Sequence, residues 1–273
     1  MSGRKKKLSM KLKRYNVILI ASLVALMLLL GILMIFQMFG YSGDYKVVSR
    51  KENIEKSKKS DGKDFETIGW VRVQGTNIDY PLYGLLSTGY DYPVTKSYLW
   101  SLNLDSEFHS TMLVYGHNVM NLGAPPEAHG DDFVRMEELM NFVYYDFAKE
   151  NQFIQLSIDG KDYLYQVFAV NFMYYKDLDN YPHGNWSQTA TNSYIERIME
   201  ETIYDFSTKY KKDDKILSVV TCSRFFGDGK SYDLIVTGRL VGDEEPVKLA
   251  KVYRNKNYEK IAERLKGADE NEE

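Results

Sequence analysis

The sequence predicts a mostly-β domain, a mixed barrel or sandwich with helices at its periphery, carried behind one apolar N-terminal segment. Three observations support this. Short strand-like runs dominate from Ile68 onward. The helical patches are inserted among them rather than following each strand in turn, which disfavours alternating βαβ units. The long uncharged apolar run lies near the N-terminus, and about 210 residues after residue 60 are enough for one sizeable core.

The elements follow in chain order. Residues 1–16 hold seven cations (Arg4, Lys5, Lys6, Lys7, Lys11, Lys13 and Arg14) and no acidic residue. Residues 17–36 are twenty apolar or small residues without a charge, enough to cross a hydrocarbon core of ~30 Å as a helix. The charge bias keeps the N-terminus cytoplasmic and sends the rest outside. A cleaved signal peptide is the rival reading. The run exceeds the usual core of ~7–15 residues, however, and Gln37-Met38-Phe39 is a poor cleavage site, so 17–39 is read as an uncleaved anchor. Residues 40–64 are polar and lysine-rich, a stalk with a short helix near Val48–Lys58 or else a flexible linker.

The main folded domain is assigned to 65–245. Ile68–Val73 and Ile78–Leu82 read as strands around a Gly75-Thr76-Asn77 turn, and Met112–Tyr115 as a strand closing on Gly116-His117-Asn118. Helical patches fall at Val134–Met140 and Tyr144–Lys149. Ile154, Leu156 and Ile158 alternate with polar residues, Asp159-Gly160 makes a tight turn, and Tyr163–Tyr174 returns as a long strand. Asn192–Glu201 reads as a helix, Lys215–Cys222 as a buried strand and Leu234–Leu240 as the last one. A C-terminal helix is placed at 246–266 and a solvated, disordered tail at 267–273.

Composition narrows the function. The net charge is −3, and the seven cations of 1–16 leave −10 for the remainder, which offers no basic face for nucleic acid. One cysteine, Cys222, excludes an intrachain disulfide and suits a Gram-positive surface. With one cysteine and no histidine pair at metal-ligand spacing, no metal and no cofactor is expected. A lone cysteine is commonly a small buried hydrophobe. Cys222, however, stands where a strand runs out toward solvent, and a thiol becomes a nucleophile when a base or cation reaches it. Of the four histidines, His109, His129 and His183 read as solvated loop residues. His117 follows an apolar strand and a glycine, the same kind of strand-end position as Cys222.

IGWVRVQGTNIDYPLYG at 68–84, LVYGHN at 113–118, LSVVTCS at 217–223 and LIVTGRLV at 234–241 together resemble the class B sortases. Their order behind an anchor matches as well, and the resemblance covers about residues 65–242. It implies an eight-stranded β-barrel and a cysteine transpeptidase that cuts a C-terminal sorting motif after its threonine. An amine of a peptidoglycan precursor or a pilin lysine then resolves the thioester. By this resemblance Cys222 is the nucleophile and His117 the general acid/base, on a single-pass membrane protein whose catalytic domain is extracellular. The two other readings are an envelope cysteine peptidase that transfers to water and a catalytically weak surface scaffold.

One position departs from the family. An arginine is expected five residues before the glycine of the closing motif; that glycine is Gly238, and Asp233 stands in the arginine's place. An aspartate is expected neither to donate to an oxyanion nor to tolerate its charge. Arg224 is the preferred substitute and a solvated loop cation the competing reading. Lys230 is the weaker candidate, and Arg239 is expected to point elsewhere. Thr221, Asn118 and Ser223 are the candidate substrate-binding residues. Tyr174, Tyr175, Tyr181 and Trp186 are candidates for an aromatic wall.

Overall fold

In the computed structural model, eight strands close into a barrel. The structure describes residues 45–59, 65–85, 98–99, 108–116, 118, 136–174, 184, 186–223, 225 and 232–269, with Ser22 and Met27 before them. Two compact units divide the chain, Met1–Asp44 and Tyr45–Glu273. In the first, Ser22 and Met27 are helical and exposed. Among the described residues no helix is long and apolar enough to cross a membrane; apart from those two residues, the predicted span 17–39 lies outside the description.

In the second unit the strands are β1 (Phe65–Val73), β2 (Asp79–Leu85), β3 (Tyr98–Leu99), β4 (Thr111–Gly116), β5 (Phe153–Ile158), β6 (Lys161–Tyr174), β7 (Tyr204–Phe206), β8 (Ile216–Ser223), β9 (Tyr232–Leu240) and β10 (Val252–Arg254). The barrel order is β1-β2-β3-β4-β8-β9-β6-β5, and β7 pairs with β10 in a separate two-stranded sheet. The helices are α1 (Lys51–Lys58), α2 (Tyr145–Glu150), α3 (Gln188–Glu201) and α4 (Tyr258–Asp269), with a 3-10 turn at Glu137–Val143.

The β5–β6 hairpin turns as the sequence predicts. Asp159 and Gly160 both have positive φ, 52° and 68°, the type I′ geometry whose twist matches the strands. Val71, Leu82, Val114, Leu156, Leu217, Val219, Leu234 and Val236 fill the barrel. A second apolar layer lies outside it, where Tyr194, Ile195 and Ile198 of α3 cover Leu113, Phe168, Val220 and Ile235. Each such aliphatic side chain contributes about 1.5–3 kcal/mol on burial. The helix starts earlier than the sequence predicts because the Ser187 hydroxyl accepts the Ala190 N–H at 3.2 Å and caps it.

Two segments differ from expectation. The described part of the predicted stalk docks on the barrel. Arg50 forms a bidentate ion pair with Asp79, and Gln155 accepts from Val48 N at 2.9 Å while donating to Val48 O at 2.6 Å. This cover buries the polar face of β5, which a simple in-out alternation would leave wet. At the C-terminus the predicted helix 246–266 is split. Val252–Arg254 pairs with β7, Asn255 accepts the Asn257 N–H at 2.7 Å, and the helix begins at Tyr258. The cause is the exposed edge of β7, whose pairing with Val252–Arg254 outweighs the local helical pattern.

Arg239 points away from the thiol, as expected. It pairs with Ile216 at the far end of β8, about 20 Å along the strand from Cys222 at ~3.3 Å per residue. Its side chain is 5 % exposed and forms a bidentate pair with Glu245. That hydrogen bond, ahead of the cost of burial, holds the Glu245 carboxyl below its usual range. The pair therefore stabilises the fold above the ordinary carboxylate pKa, and the contribution fades as pH falls through the lowered one. Glu245→Ala, which strands the buried cation, is expected to cost about 1.5–3 kcal/mol in urea unfolding at pH 7.

Candidate active site

β4 and β8 run parallel, pairing Tyr115 with Val220 and Gly116 with Thr221. Parallel neighbours end at the same rim, so the 113–118 and 217–223 motifs leave the barrel side by side. Gly116 at the end of β4 lies tight against the residue before the 3-10 turn: a Cβ there would stand 2.4 Å from Met136 Cγ. Thr221 Oγ1 donates to Gly116 O at 2.8 Å, and Asn118 Nδ2 donates to Cys222 O at 3.0 Å. These two bonds stitch the strand ends together.

Alternation along β8 sends Leu217 and Val219 into the barrel, and Ile216, Val220 and Cys222 into the outer layer beneath α3. Cys222 is the free thiol, half-buried at the rim. Tyr115 and Met173 belong to the same layer. Asp233 pairs with Cys222 across β8–β9 and with Met173 across β9–β6, which puts its side chain on the same face. The Tyr115 hydroxyl lies 2.6 Å from Cys222 Sγ.

The electrostatics follow from this packing. Burial pushes the Cys222 thiol above its ordinary value, the hydrogen bond with Tyr115 pulls it back, and the negative field of Asp233 raises it again. Asp233 is 1 % exposed. Burial lifts its carboxyl to about 7, against hydrogen bonds with Cys222 and Tyr115 that act to lower it. Near neutral pH the carboxyl is therefore divided between its acid and carboxylate forms. Its Oδ2 is buried and has no hydrogen-bond partner among the described residues.

The other predicted site residues divide into described and undescribed. His117, Arg224 and Lys230, with Tyr175, Tyr181, His129 and His183, lie outside the described residues. Thr221 is fully buried, with its hydroxyl committed to Gly116. Ser223 is also buried, its Oγ accepting the Phe225 N–H at 3.1 Å. Neither shares the face of the thiol; Asn118 reaches Cys222 through the backbone. His109, read as solvated, is buried. Tyr174 is partly exposed and lines a cavity of about 800 Å³ between α3, α4 and the ends of β6 and β9, with Tyr232, Arg197, Glu200 and Lys260. Trp186 packs edge-on against Tyr194 at 6.4 Å. No described group of three or more His, Cys, Asp and Glu side chains has metal-binding geometry.

Two side chains of the cluster carried no role in the sequence reading. Tyr115 lies on β4, two residues before His117 in the sequence. Asp233 was visible as a departure from the family pattern, and pairing the two strands from the ends of their connecting loop would have set it opposite Cys222.

No family model matches the chain. It is 21 % identical over 192 residues to sortase B of Listeria monocytogenes, covering 64 % of this chain and 70 % of that protein. Among solved structures it resembles sortase B of Clostridium perfringens, with a TM-score of 0.53 at 19 % identity over 69 % of this chain and 100 % of the other. The Staphylococcus aureus sortase B–substrate complex matches with a TM-score of 0.52 at 17 % identity, over 77 % and 92 %. At these identities the structural likeness is one of fold. The barrel is that of the sortase fold, and the chain is similar in sequence to a class B sortase over about two thirds of its length.

Proposed function

We propose that the protein is a membrane-anchored cysteine transpeptidase. It cleaves the C-terminal sorting motif of a secreted protein after threonine, through a thioester on Cys222, and passes the acyl group to an amine. The observation that carries this reading is a half-buried thiol at the end of β8, beside the end of β4, on a sortase-fold barrel. The Staphylococcus aureus sortase B solved as a substrate complex supports a substrate held on this barrel. Motif position supports His117 as the group that protonates the departing nitrogen and later deprotonates the incoming amine. Arg224 is proposed as the loop cation nearest in sequence for the oxyanion. Asn118 is proposed to hold the His117 loop against Cys222. The acceptor is a peptidoglycan-precursor amine or a pilin lysine, and the apolar run 17–39 is proposed as the anchor that holds the domain outside the membrane.

Product analysis tests the reading. With a sorting peptide and an added amine such as triglycine, the expected product is the amide; a free carboxylate alone would assign transfer to water and an envelope peptidase instead.

A further inference from the structure

We propose that Asp233 is a catalytic residue of this site: it accepts the Cys222 proton as the thiol attacks, and returns it when the thiol departs. The inference rests on the transpeptidase reading. Three observations support it. Asp233 is the direct cross-strand partner of Cys222. It is almost wholly buried among the side chains of the thiol's own layer, where an aspartate is costly to keep without a role. Its Oδ2 is buried and without a hydrogen-bond partner among the described residues, so the carboxyl keeps an acceptor uncommitted to the fold.

The surroundings match the task. Cys222 from β8 and Tyr115 from β4 are the titratable groups that bear on Asp233, and its β6 neighbour Met173 is apolar. None of the described residues sets a positive charge against it. A carboxyl near 7 is matched to a thiol that must lose its proton only during attack. An arginine in this place would stabilise a preformed thiolate; the aspartate instead keeps the resting thiol protonated and moves its proton on demand.

The step balances. Sγ bonds to the substrate carbonyl carbon, the Sγ–H proton passes to an Asp233 oxygen, and the carbonyl π pair moves onto oxygen. One negative charge is conserved, leaving the carboxylate and arriving on the oxyanion. The carbonyl then reforms, the C–N bond breaks, and the leaving nitrogen takes the proton of His117, giving the thioester. When the amine attacks, His117 takes the N–H proton, and the departing sulfur takes back the proton held by Asp233. Both groups return to their starting states.

Asp233→Asn, nearly isosteric, provides the test through two rates measured on one protein. Peptide turnover is expected to fall by about 10²–10⁴-fold. Alkylation of Cys222 by iodoacetamide at pH 7.5 is expected to become faster, because the thiol loses its negative neighbour. Turnover that is unchanged or raised would make Asp233 a brake and overturn the proposal while leaving the transpeptidase reading intact. A parallel fall in both rates would reduce Asp233 to a structural role and overturn it too. A wild-type protein that never cleaves would instead overturn the underlying reading, and this proposal with it.

Discussion

Cys222→Ala is expected to lower cleavage of sorting peptides by on the order of 10⁴-fold or more, the scale on which enzymes lose a covalent nucleophile. The barrel should survive the change. Cys222 sits half-buried at the rim, and the residues filling the barrel do not include it. The lost contacts are the thiol's hydrogen bonds with Tyr115 and Asp233, each worth about 1 kcal/mol, so the melting temperature should move by less than about 10 degrees. Activity and stability therefore separate cleanly in this variant. Retained cleavage and joining in the alanine protein would end the cysteine mechanism.

The second large effect is on stability, and it comes from Asp233. Its carboxyl titrates near 7 in the folded protein, against 3.8 as the ordinary value. Between those two pH values the native state holds a proton that the unfolded chain has released. Stability is thus greatest below the unfolded pKa, falls as pH rises toward 7, and is level above it. Converted at 1.36 kcal/mol per unit, the loss across this window is about 4 kcal/mol. Asp233→Asn removes the titration, so urea unfolding should show the variant gaining on wild type by about 3–4 kcal/mol between pH 4 and pH 8. Parallel stability profiles for the two proteins would contradict the buried, raised carboxyl.

The barrel was legible where side-chain alternation or a continuous apolar run is strong: β1, β4, the β5–β6 hairpin, β8 and β9 stand close to their sequence positions. The missed strands are those whose pairing is decided by tertiary contact. β3 has two residues, and β7 and β10 have three each, too few to show a period. Within the site, the thiol at a strand end could be read directly, because a single cysteine closing an apolar run has few interpretations. The burial of Thr221 and Ser223 follows from the same alternation that sends Cys222 to the outer layer, so a stricter period-two reading would have removed both from the thiol's face. The protonation of Asp233 could not be read. It depends on how completely α3 and the neighbouring strands exclude water, a property of packing rather than of residue type.

The most direct test is the covalent intermediate itself. The full chain is incubated with a mixed peptide library in which one position is held as threonine, then quenched in acid and weighed intact by mass spectrometry. The account predicts an adduct ending in threonine, located on the Cys222 peptide, released by hydroxylamine and absent from Cys222→Ala. Peptide cleavage that proceeds with no such adduct, or with one on any other residue, would contradict it.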